Sequence, residues 1–274
     1  MAEEAKPSGS NCKSGCEDCS QKGRCPIHKE PFNEHSSVKK VIGIISGKGG
    51  VGKSTVTSIL AGKLAKMGYR VGIMDADITG PSIPRMFGIE GTVQASGEYI
   101  LPAVSKEGIK IISMNLFLED TETPVIYRGP VISSFVKQFW TNVIWGELDY
   151  LFIDMPPGTG DVPLTVYQSI PIDGVVMVTS PQNLVKMIVM KAVNMAGKMN
   201  IPLLGIVENY SYFVCPDCGK EYKIFGESRI DELAENLNTK VIARIPVMPE
   251  IAGAADSGNG FYEAIDININ ALIN

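Results

Sequence analysis

Long apolar runs and blocks of basic residues are missing from this sequence, and each absence excludes a class of protein. No run approaches the ~18 apolar residues of a membrane-spanning helix, and the opening residues, MAEEAKPSGS, have neither the basic start nor the apolar stretch of a signal peptide. Acidic residues (30) outnumber lysine and arginine (25), and the net charge is −5. These features favour a cytoplasmic protein that binds neither membranes nor nucleic acid.

Cysteine is missing from the whole middle of the chain. The six cysteines fall into two clusters, one near each end: Cys12, Cys16, Cys19, Cys25, Cys215 and Cys218. In a reducing compartment, closely spaced thiols favour a bound metal over disulfide bonds. All six are therefore candidate metal ligands, whereas the two histidines, His28 and His35, are better interpreted as solvated residues.

The chain divides into two parts of different composition. Residues 1–37 contain few apolar side chains besides cysteine and cannot build a core, so any order there must come from a ligand held by the thiols or from docking on the rest of the protein. We predict a Cys-rich, metal-binding segment over residues 1–37 and one larger domain over residues 38–274.

Short apolar runs recur in the larger domain and end in polar or glycine-rich residues. They read VIGIIS, RVGIMDAD, YLFIDMPP, GVVMVTSP and LLGIVEN, and their continuous apolar character is typical of strands buried on both faces. Helical spacing separates them, from Val56 to Met67 and from Asn183 to Met199. This alternation predicts an α/β fold, a mostly parallel sheet with helices on both faces. The last stretch, GFYEAIDININALIN, predicts a final helix.

The segment SGKGGVGKST, which follows the first strand and opens the first helix, fits the G-x-x-x-x-G-K-[ST] pattern from Gly47 to Ser54. Glycines allow successive backbone N–H groups to point at phosphate oxygens, Lys53 reaches the β and γ phosphates, and the Ser54 hydroxyl can ligate Mg²⁺. The pattern predicts a P-loop NTPase with a nucleotide-binding run at Gly47, Lys48, Gly49, Gly50, Val51, Gly52, Lys53, Ser54 and Thr55.

Aspartates stand at the ends of two predicted strands, where an α/β sheet binds its ligands. Asp75 and Asp77 follow the second strand and can orient water or hold magnesium through water, although helix caps and turns also use Asp there. Asp154 ends an apolar run in the Walker B pattern. Gly158 leaves backbone room for a loop that senses the γ-phosphate, and Asp161 is better explained as a helix cap.

The base of the nucleotide is indicated by a strand end. The guanine-reading N-K-x-D tetrapeptide is absent, whereas Asn209 ends the LLGIVEN run, where an amide can both donate to and accept from a base edge. Adenine, and hence ATP, is favoured over guanine.

The second lysine of GKGGVGKS, Lys48, resembles the deviant phosphate loop of the MinD, ParA and nitrogenase iron protein class. In that class this lysine reaches the nucleotide of the facing subunit, so the resemblance implies a nucleotide-sandwiched homodimer. A solvated loop lysine is the alternative.

The chain also resembles the Mrp/ApbC family of iron-sulphur cluster carrier ATPases from about Lys39 to Gly258. The resemblance rests on five blocks taken together: GKGGVGKS, DADITGPSIPRMFG, YRGPVISSFVKQFW, DMPPGTGDVPLTV and VENYSYFVCPDCGKEYKIFG. The resemblance implies an ATPase that passes clusters to apo iron-sulphur client proteins. It implies that Asn209 and the loop containing Pro246 flank the adenine. The expected catalytic residues are Lys48, Lys53, Asp77 and Asp154.

The C-P-x-C stretch, residues 215–218, supplies half of a four-thiolate site. In a two-fold symmetric dimer the partner's copy supplies the other half, because an isologous interface pairs a patch with itself. Four thiolates suit a [4Fe-4S] cluster or tetrahedral zinc. The family resemblance favours an intersubunit cluster, and the zinc-ribbon character of CPDCGKEY keeps zinc as the alternative.

The N-terminal cysteines contain the C-x₂-C-x₅-C element of eukaryotic cytosolic cluster-scaffold relatives, which implies a second [4Fe-4S] cluster. The upstream spacing differs from those relatives, and Cys12, His28 or water remains open as the fourth ligand. Two other functions also stay open: a spatial regulator like MinD or ParA with structural zinc, and ATP-coupled electron transfer as in nitrogenase iron protein. The acidic C-terminal stretch, without lysine or arginine, disfavours the former.

Overall fold

The computed structural model describes residues 29–78, 80, 82–118, 129–181, 185–251, 253, 265 and 267–273. Cys12, Cys16, Cys19, Cys25 and His28 lie outside these residues, so the predicted N-terminal metal site remains a prediction.

An eight-stranded sheet forms the centre of the domain, in the order β12-β9-β8-β1-β7-β2-β6-β5. The strands are parallel except for β5, which pairs with β6 in antiparallel fashion at one edge. This confirms the predicted mostly parallel sheet. Its strands are β1 (Ser36–Ser46), β2 (Val71–Asp75), β5 (Ala103–Val104), β6 (Lys110–Ile112), β7 (Gly146–Asp154), β8 (Gly174–Thr179), β9 (Leu203–Glu208) and β12 (Val241–Arg244). Two small antiparallel pairs join β3 (Gln94–Ser96) to β4 (Tyr99–Leu101) and β10 (Phe213–Val214) to β11 (Glu221–Tyr222).

Helices cover both faces of the sheet, as predicted. They are α1 (Lys53–Lys66), α2 (Ile83–Met86), α3 (Gly129–Thr141), α4 (Asp161–Ser169), α5 (Val185–Lys198), α6 (Ile230–Asn236) and α7 (Asn270–Ile273), with a 3₁₀ turn at Met114–Phe117. Helices α3 to α6 contribute to one hydrophobic cluster, and α1, α2 and the C-terminal residues contribute to the other. Within the described ranges, no helix has both the length and the apolar character needed to cross a membrane.

The packing of α1 shows why the apolar spacing predicts this helix. Val56, Ile59, Leu60 and Leu64 are fully buried against the sheet. Met67 continues the spacing but follows the last helical residue, and its side chain is 56% exposed. The apolar pattern therefore overruns the helix by one residue.

The predicted C-terminal helix is mostly wrong among the described residues. Ile265, Ile267 and Asn268 are not helical, and α7 contains four residues only. The reason is a period of two: Ile265, Ile267 and Ile269 are all buried in the α1-side cluster, and the Asn268 backbone N–H donates to the Ile242 carbonyl at 3.1 Å. Alternating β-branched residues of this kind fit an extended chain better than a helix.

The last residues of the Cys-rich segment dock on the domain before β1 begins. The Phe32 ring stacks on Trp140, with 3.7 Å between ring centroids, and the Trp140 indole N–H donates to the Glu30 carbonyl. The Asn33 side-chain amide donates to the carbonyls of Thr141 and Val143. These contacts fix residues 30–33 on the domain, at the end of the sheet where β1 starts.

Candidate functional site

A cavity of about 300 Å³ lies over the loop between β1 and α1. The loop from Lys48 to Thr55 forms its floor, and Asp77, Pro157 and Tyr210 complete its wall. Gly52, at the start of α1, has a φ of 77°, in the left-handed region that favours glycine. A Cβ there would also lie 2.1 Å from Asn209 Nδ2, so both conformation and space require glycine.

Lys53 is the central cation of this cavity. Its side chain is 6% exposed, and its Nζ lies 2.9 Å from Asp154 Oδ1 and 3.6 Å from Asp77 Oδ2. Burial alone would lower the pKa of Lys53, but the charges of Asp154, Asp77 and Asp75 outweigh burial and raise it. The ion pair with Asp154 is close, yet among the residues that the structure describes no acceptor is aligned with the ammonium group for a hydrogen bond.

Asp154, at the end of β7, organises the start of α1. It is completely buried, and its two carboxylate oxygens accept hydrogen bonds from the hydroxyl groups of Ser54 (2.6 Å) and Thr57 (2.8 Å). Thr57 was not predicted from the sequence. Its spacing of three residues from Ser54 places both hydroxyl groups on the helix face toward the strand end, and this is the signal that could have identified it.

Asp75 lies beside this pair, because β2 is the neighbour of β7 and pairs Asp75 with Asp154. It is buried, and it accepts hydrogen bonds from the Ser113 hydroxyl (3.0 Å) and from the Asp77 backbone N–H (3.2 Å). Burial, reinforced by the negative charge of Asp154, raises the pKa of Asp75 to about 8. Nothing in the sequence marks Ser113 as a partner, since it follows another strand, β6.

The raised pKa of Asp75 predicts a stability that depends on pH. The pKa is about 8 in the folded state against an ordinary 3.8, so between these values the folded protein keeps a proton that the unfolded chain releases. Stability must therefore fall as pH rises from about 4 to about 8, and level off above. In Asp75→Asn, thermal unfolding of nucleotide-free protein in a chelating buffer should lose most of this fall, and Tm at pH 8 should exceed that of wild type by several degrees.

The matched control for this experiment is Glu221→Gln, which removes an exposed carboxylate from the β11 strand. It should leave the pH dependence unchanged. A wild-type and an Asp75→Asn protein with the same Tm difference between pH 5 and pH 8 would contradict the assignment of a buried, protonated Asp75.

The loop after β7 carries two of the predicted residues. Gly158 has a φ of 85° and its backbone N–H donates to the Ser46 carbonyl at 2.9 Å, which ties this loop to the end of β1. Asp161 is not the N-cap of the next helix, because Gly160 occupies that position, and the helix start therefore has no side-chain cap. Asp161 is the first residue of α4, where its negative charge interacts favourably with the positive end of the helix dipole.

Of the remaining predicted residues, Asn209 contacts the phosphate loop, whereas Pro246 does not line the cavity. The Asn209 side chain is buried, and its Nδ2 donates to the Val51 carbonyl at 2.9 Å, so one of its amide protons supports the phosphate loop itself. Pro246 follows β12, between Ile245, whose carbonyl accepts from Ser211, and Val247. Lys48 lines the cavity. Contact of Asn209 and Pro246 with adenine, and of Lys48 with a facing subunit, stay predictions.

The cysteines Cys215 and Cys218 lie on the turn of the β10–β11 hairpin. The turn is closed by backbone hydrogen bonds from Cys215 to the Lys220 carbonyl (3.0 Å) and from Gly219 to the Cys215 carbonyl (2.9 Å). Cys215 is half-buried and Cys218 exposed. Hydrogen bonds from the Asp217 and Cys218 backbone N–H groups, then from the Cys218 thiol, lower the pKa of Cys215 and favour the thiolate that binds metals.

The residues present fit the expected ligands. A buried ammonium group without an aligned acceptor, above a glycine loop at a helix start, suits a phosphate group. The oxygens of Ser54 and Asp154 are the donor type that Mg²⁺ prefers. Two soft thiols suit iron or zinc. Across the described ranges no three histidine, cysteine or acidic side chains converge on one metal position.

Comparison with known proteins places these features in a family. The model of the NUBPL iron-transfer P-loop NTPases (ParA) matches residues 37–271. An iron-sulfur cluster carrier protein of Methanocaldococcus jannaschii is 47% identical over 257 residues, which cover 90% of this chain and 89% of that protein. An iron-sulfur cluster carrier protein of Clostridium perfringens is 45% identical, with 90% of each chain covered.

Solved structures agree with the fold. A nucleotide-binding protein of Archaeoglobus fulgidus, solved in complex with ADP and with cobalt found in it, superposes with a TM-score of 0.75 at 43% identity, over 85% of this chain and 91% of that one. The septum site-determining protein MinD of Pyrococcus horikoshii, complexed with Mg-ADP, has a TM-score of 0.59 at 21% identity, over 86% and 93% of the two chains. The second likeness is one of fold alone.

Proposed function

Since this chain belongs to the NUBPL iron-transfer P-loop NTPases of the ParA family, we propose that it is an ATP-hydrolysing carrier of [4Fe-4S] clusters. Two copies assemble a cluster between their Cys215 and Cys218 thiols and transfer it to apo iron-sulphur proteins. The observation that carries the proposal is the position of the two thiols, on a hairpin that closely follows β9, and Asn209, the residue after β9, contacts the phosphate loop.

The nucleotide site has the groups that ATP hydrolysis requires. Backbone N–H groups of residues 49–53 and the Lys53 ammonium hold the phosphates and offset the charge that develops when water attacks the γ-phosphorus and the β–γ bridging bond breaks. Ser54 and Asp154 would hold Mg²⁺, which supplies charge neutralisation at the same phosphates. Asp77, 3.6 Å from Lys53, is positioned to orient water, and Lys48 would act on the nucleotide of the partner.

The hairpin supports a site shared by two chains. It contributes two thiols, and exposed apolar side chains surround them: Val214 (41% exposed), Tyr222 (44%), Ile224 (54%) and Phe225 (41%). An apolar rim around an incomplete ligand set suits burial against a second copy, since the same patch meets itself across a two-fold axis. A cluster held at such an interface between two subunits can leave when the interface opens, and a carrier needs this property.

The N-terminal cysteines would hold a second cluster in this proposal. They lie outside the described residues, but residues 30–33, which follow them in the chain, dock near the start of β1, whereas the hairpin follows the end of β9. Because β1 and β9 run parallel in one sheet, these two positions lie at opposite ends of the strands, and we expect two separate sites rather than one mixed site.

The proposal is tested by metal analysis of the anaerobically purified full chain. Iron, acid-labile sulphide and zinc are measured per dimer in wild type, in Cys215→Ala with Cys218→Ala, and in Ser105→Ala, a control that follows the edge strand β5 on the side of the sheet away from β9. We expect the double variant to lose the iron and sulphide of one cluster per dimer and to lose ATP-dependent transfer to an apo [4Fe-4S] protein. Ser105→Ala should keep both.

Zinc in place of iron, even after cluster reconstitution, would reject the carrier function. The hairpin would then be a structural zinc clasp, and a spatial regulator of the MinD or ParA kind would be the remaining candidate. Co-sedimentation with liposomes or DNA in the presence of ATP would test that regulator directly.

A further inference from the structure

Glu208, the last residue of β9, holds both ends of the cysteine hairpin. Its side chain is 1% exposed. One carboxylate oxygen accepts a hydrogen bond from the Ser211 hydroxyl (2.6 Å) and the other from the Ser228 hydroxyl (2.5 Å). Ser211 precedes β10, and Ser228 follows β11 at the start of α6, where it also accepts from the Ile230 backbone N–H. A single buried carboxylate therefore closes the base of the segment that carries Cys215 and Cys218.

The next two residues contact the phosphate loop. Asn209 donates to the Val51 carbonyl, and Tyr210 lines the phosphate-loop cavity. The Tyr210 ring also contacts Phe225 in the hairpin, with 6.4 Å between centroids. Tyr210 has a φ of 58°, a conformation uncommon for a bulky residue and maintained only where the surroundings impose it.

Glu208, Asn209 and Tyr210 thus connect the phosphate loop to the segment that carries the two cysteines. A buried carboxylate is costly unless its oxygens are hydrogen-bonded, and hydrogen bonds to a charged acceptor are among the strongest in proteins. The backbone of the same junction is fixed as well, since Asn209 donates to the Thr179 carbonyl and Ser211 to the Ile245 carbonyl. A hydrogen-bonded path therefore runs from Val51 through Asn209 and the adjoining Glu208 to Ser211 and Ser228, and a displacement of the phosphate loop would act along it.

We propose that Glu208 is a positioning residue that couples the nucleotide to the metal-binding thiols. Through Ser211 and Ser228 it sets the position of the hairpin, so that occupancy of the phosphate loop changes the exposure of Cys215. This inference rests on the proposed function only in taking the hairpin as the metal-binding element, and it adds how nucleotide regulates that element.

The test measures thiol reactivity in metal-free, reduced, full-length protein. Alkylation of Cys215 and Cys218 by iodoacetamide is followed by mass spectrometry with and without Mg-ADP, in wild type, Glu208→Gln, Ser228→Ala and Ser105→Ala. Glu208→Gln keeps the shape of the side chain, Ser228→Ala removes one of the two bonds, and Ser105→Ala removes a similar bond from serine to a carboxylate, that of Glu107, at the distant sheet edge.

We expect Mg-ADP to change the Cys215 alkylation rate by about fivefold or more in wild type and in Ser105→Ala, a typical allosteric coupling. In Glu208→Gln and Ser228→Ala this ratio should fall toward one while the affinity for ADP stays close to wild type, and Tm should fall as well, because each variant weakens or removes a buried hydrogen bond. A purely structural role for Glu208 would lower Tm without altering the nucleotide response.

Two results would overturn the proposal: a wild-type thiol rate that ignores saturating Mg-ADP, or a full nucleotide response in both Glu208→Gln and Ser228→Ala. Neither depends on cluster chemistry, because no metal is present. Failure of the carrier function would instead appear as missing iron and sulphide in the wild-type protein, whatever the alkylation result.

Discussion

Replacement of Lys53 by alanine is expected to weaken ATP binding by about 100-fold or more, because hydrogen bonds from a charged donor contribute about 1.5–3 kcal/mol each and the role proposed for Lys53 is to contact two phosphate groups at once. Hydrolysis should become undetectable. The measurement is calorimetric titration with Mg-ATP, together with phosphate release. Lys63→Ala removes a lysine from the same helix, away from the cavity, and should leave both unchanged.

The same variant has a second expected effect, on stability. Without Lys53, the buried carboxyl groups of Asp75 and Asp154 lose the cation beside them. The charged form of Asp75 becomes less favourable, which raises the pKa of Asp75 further, so the loss of stability should be larger at pH 8, where wild-type Asp75 is partly ionised, than at pH 5, where it is protonated. Binding of Mg-ATP by Lys53→Ala at nearly wild-type affinity would contradict the role given to this lysine.

Sequence patterns predict the elements of this fold that depend on local residues. Apolar runs such as VIGIIS become parallel strands because both sheet faces are covered, so every side chain in the run is buried. The phosphate loop is equally local, since its glycines, Lys53 and Ser54 act within one turn of chain. The structure brings Lys53, Ser54 and Asp154 together at one point, as their motif positions predict.

Contacts that depend on the order of strands in the sheet were not predictable in this way. Ser113 reaches Asp75 only because β6 lies next to β2, and no local pattern shows this. Glu208 reads as the polar end of an apolar strand until its two serine partners, 3 and 20 residues away, are seen in space. The stretch GFYEAIDININALIN was predicted to be helical, whereas the alternating burial of Ile265, Ile267 and Ile269 gives an extended chain.

The proposed sharing of the thiol site between two chains predicts an unusual result for mixed dimers. When a wild-type chain pairs with a chain carrying Cys215→Ala and Cys218→Ala, the subunit interface retains two thiolates instead of four. Two thiolates cannot replace the four that a [4Fe-4S] cluster takes from cysteine. We expect the mixed dimer to lose the whole intersubunit cluster, and to contain no more iron and sulphide at this site than the dimer of two variant chains.

The mixed dimer can be isolated by co-expressing the two chains with different affinity tags and purifying anaerobically through both. A wild-type chain paired with Ser105→Ala is the matched control and should keep a full cluster. If each chain instead completed its own site, the mixed dimer would retain half of the wild-type iron and sulphide at the hairpin. The iron and sulphide that the mixed dimer retains at the hairpin, relative to wild type, therefore decide the question. A value near zero means that the second copy of the chain supplies the ligands missing beside Cys215 and Cys218, and a value near one half means that each chain completes its own site. No transfer assay is needed for this decision.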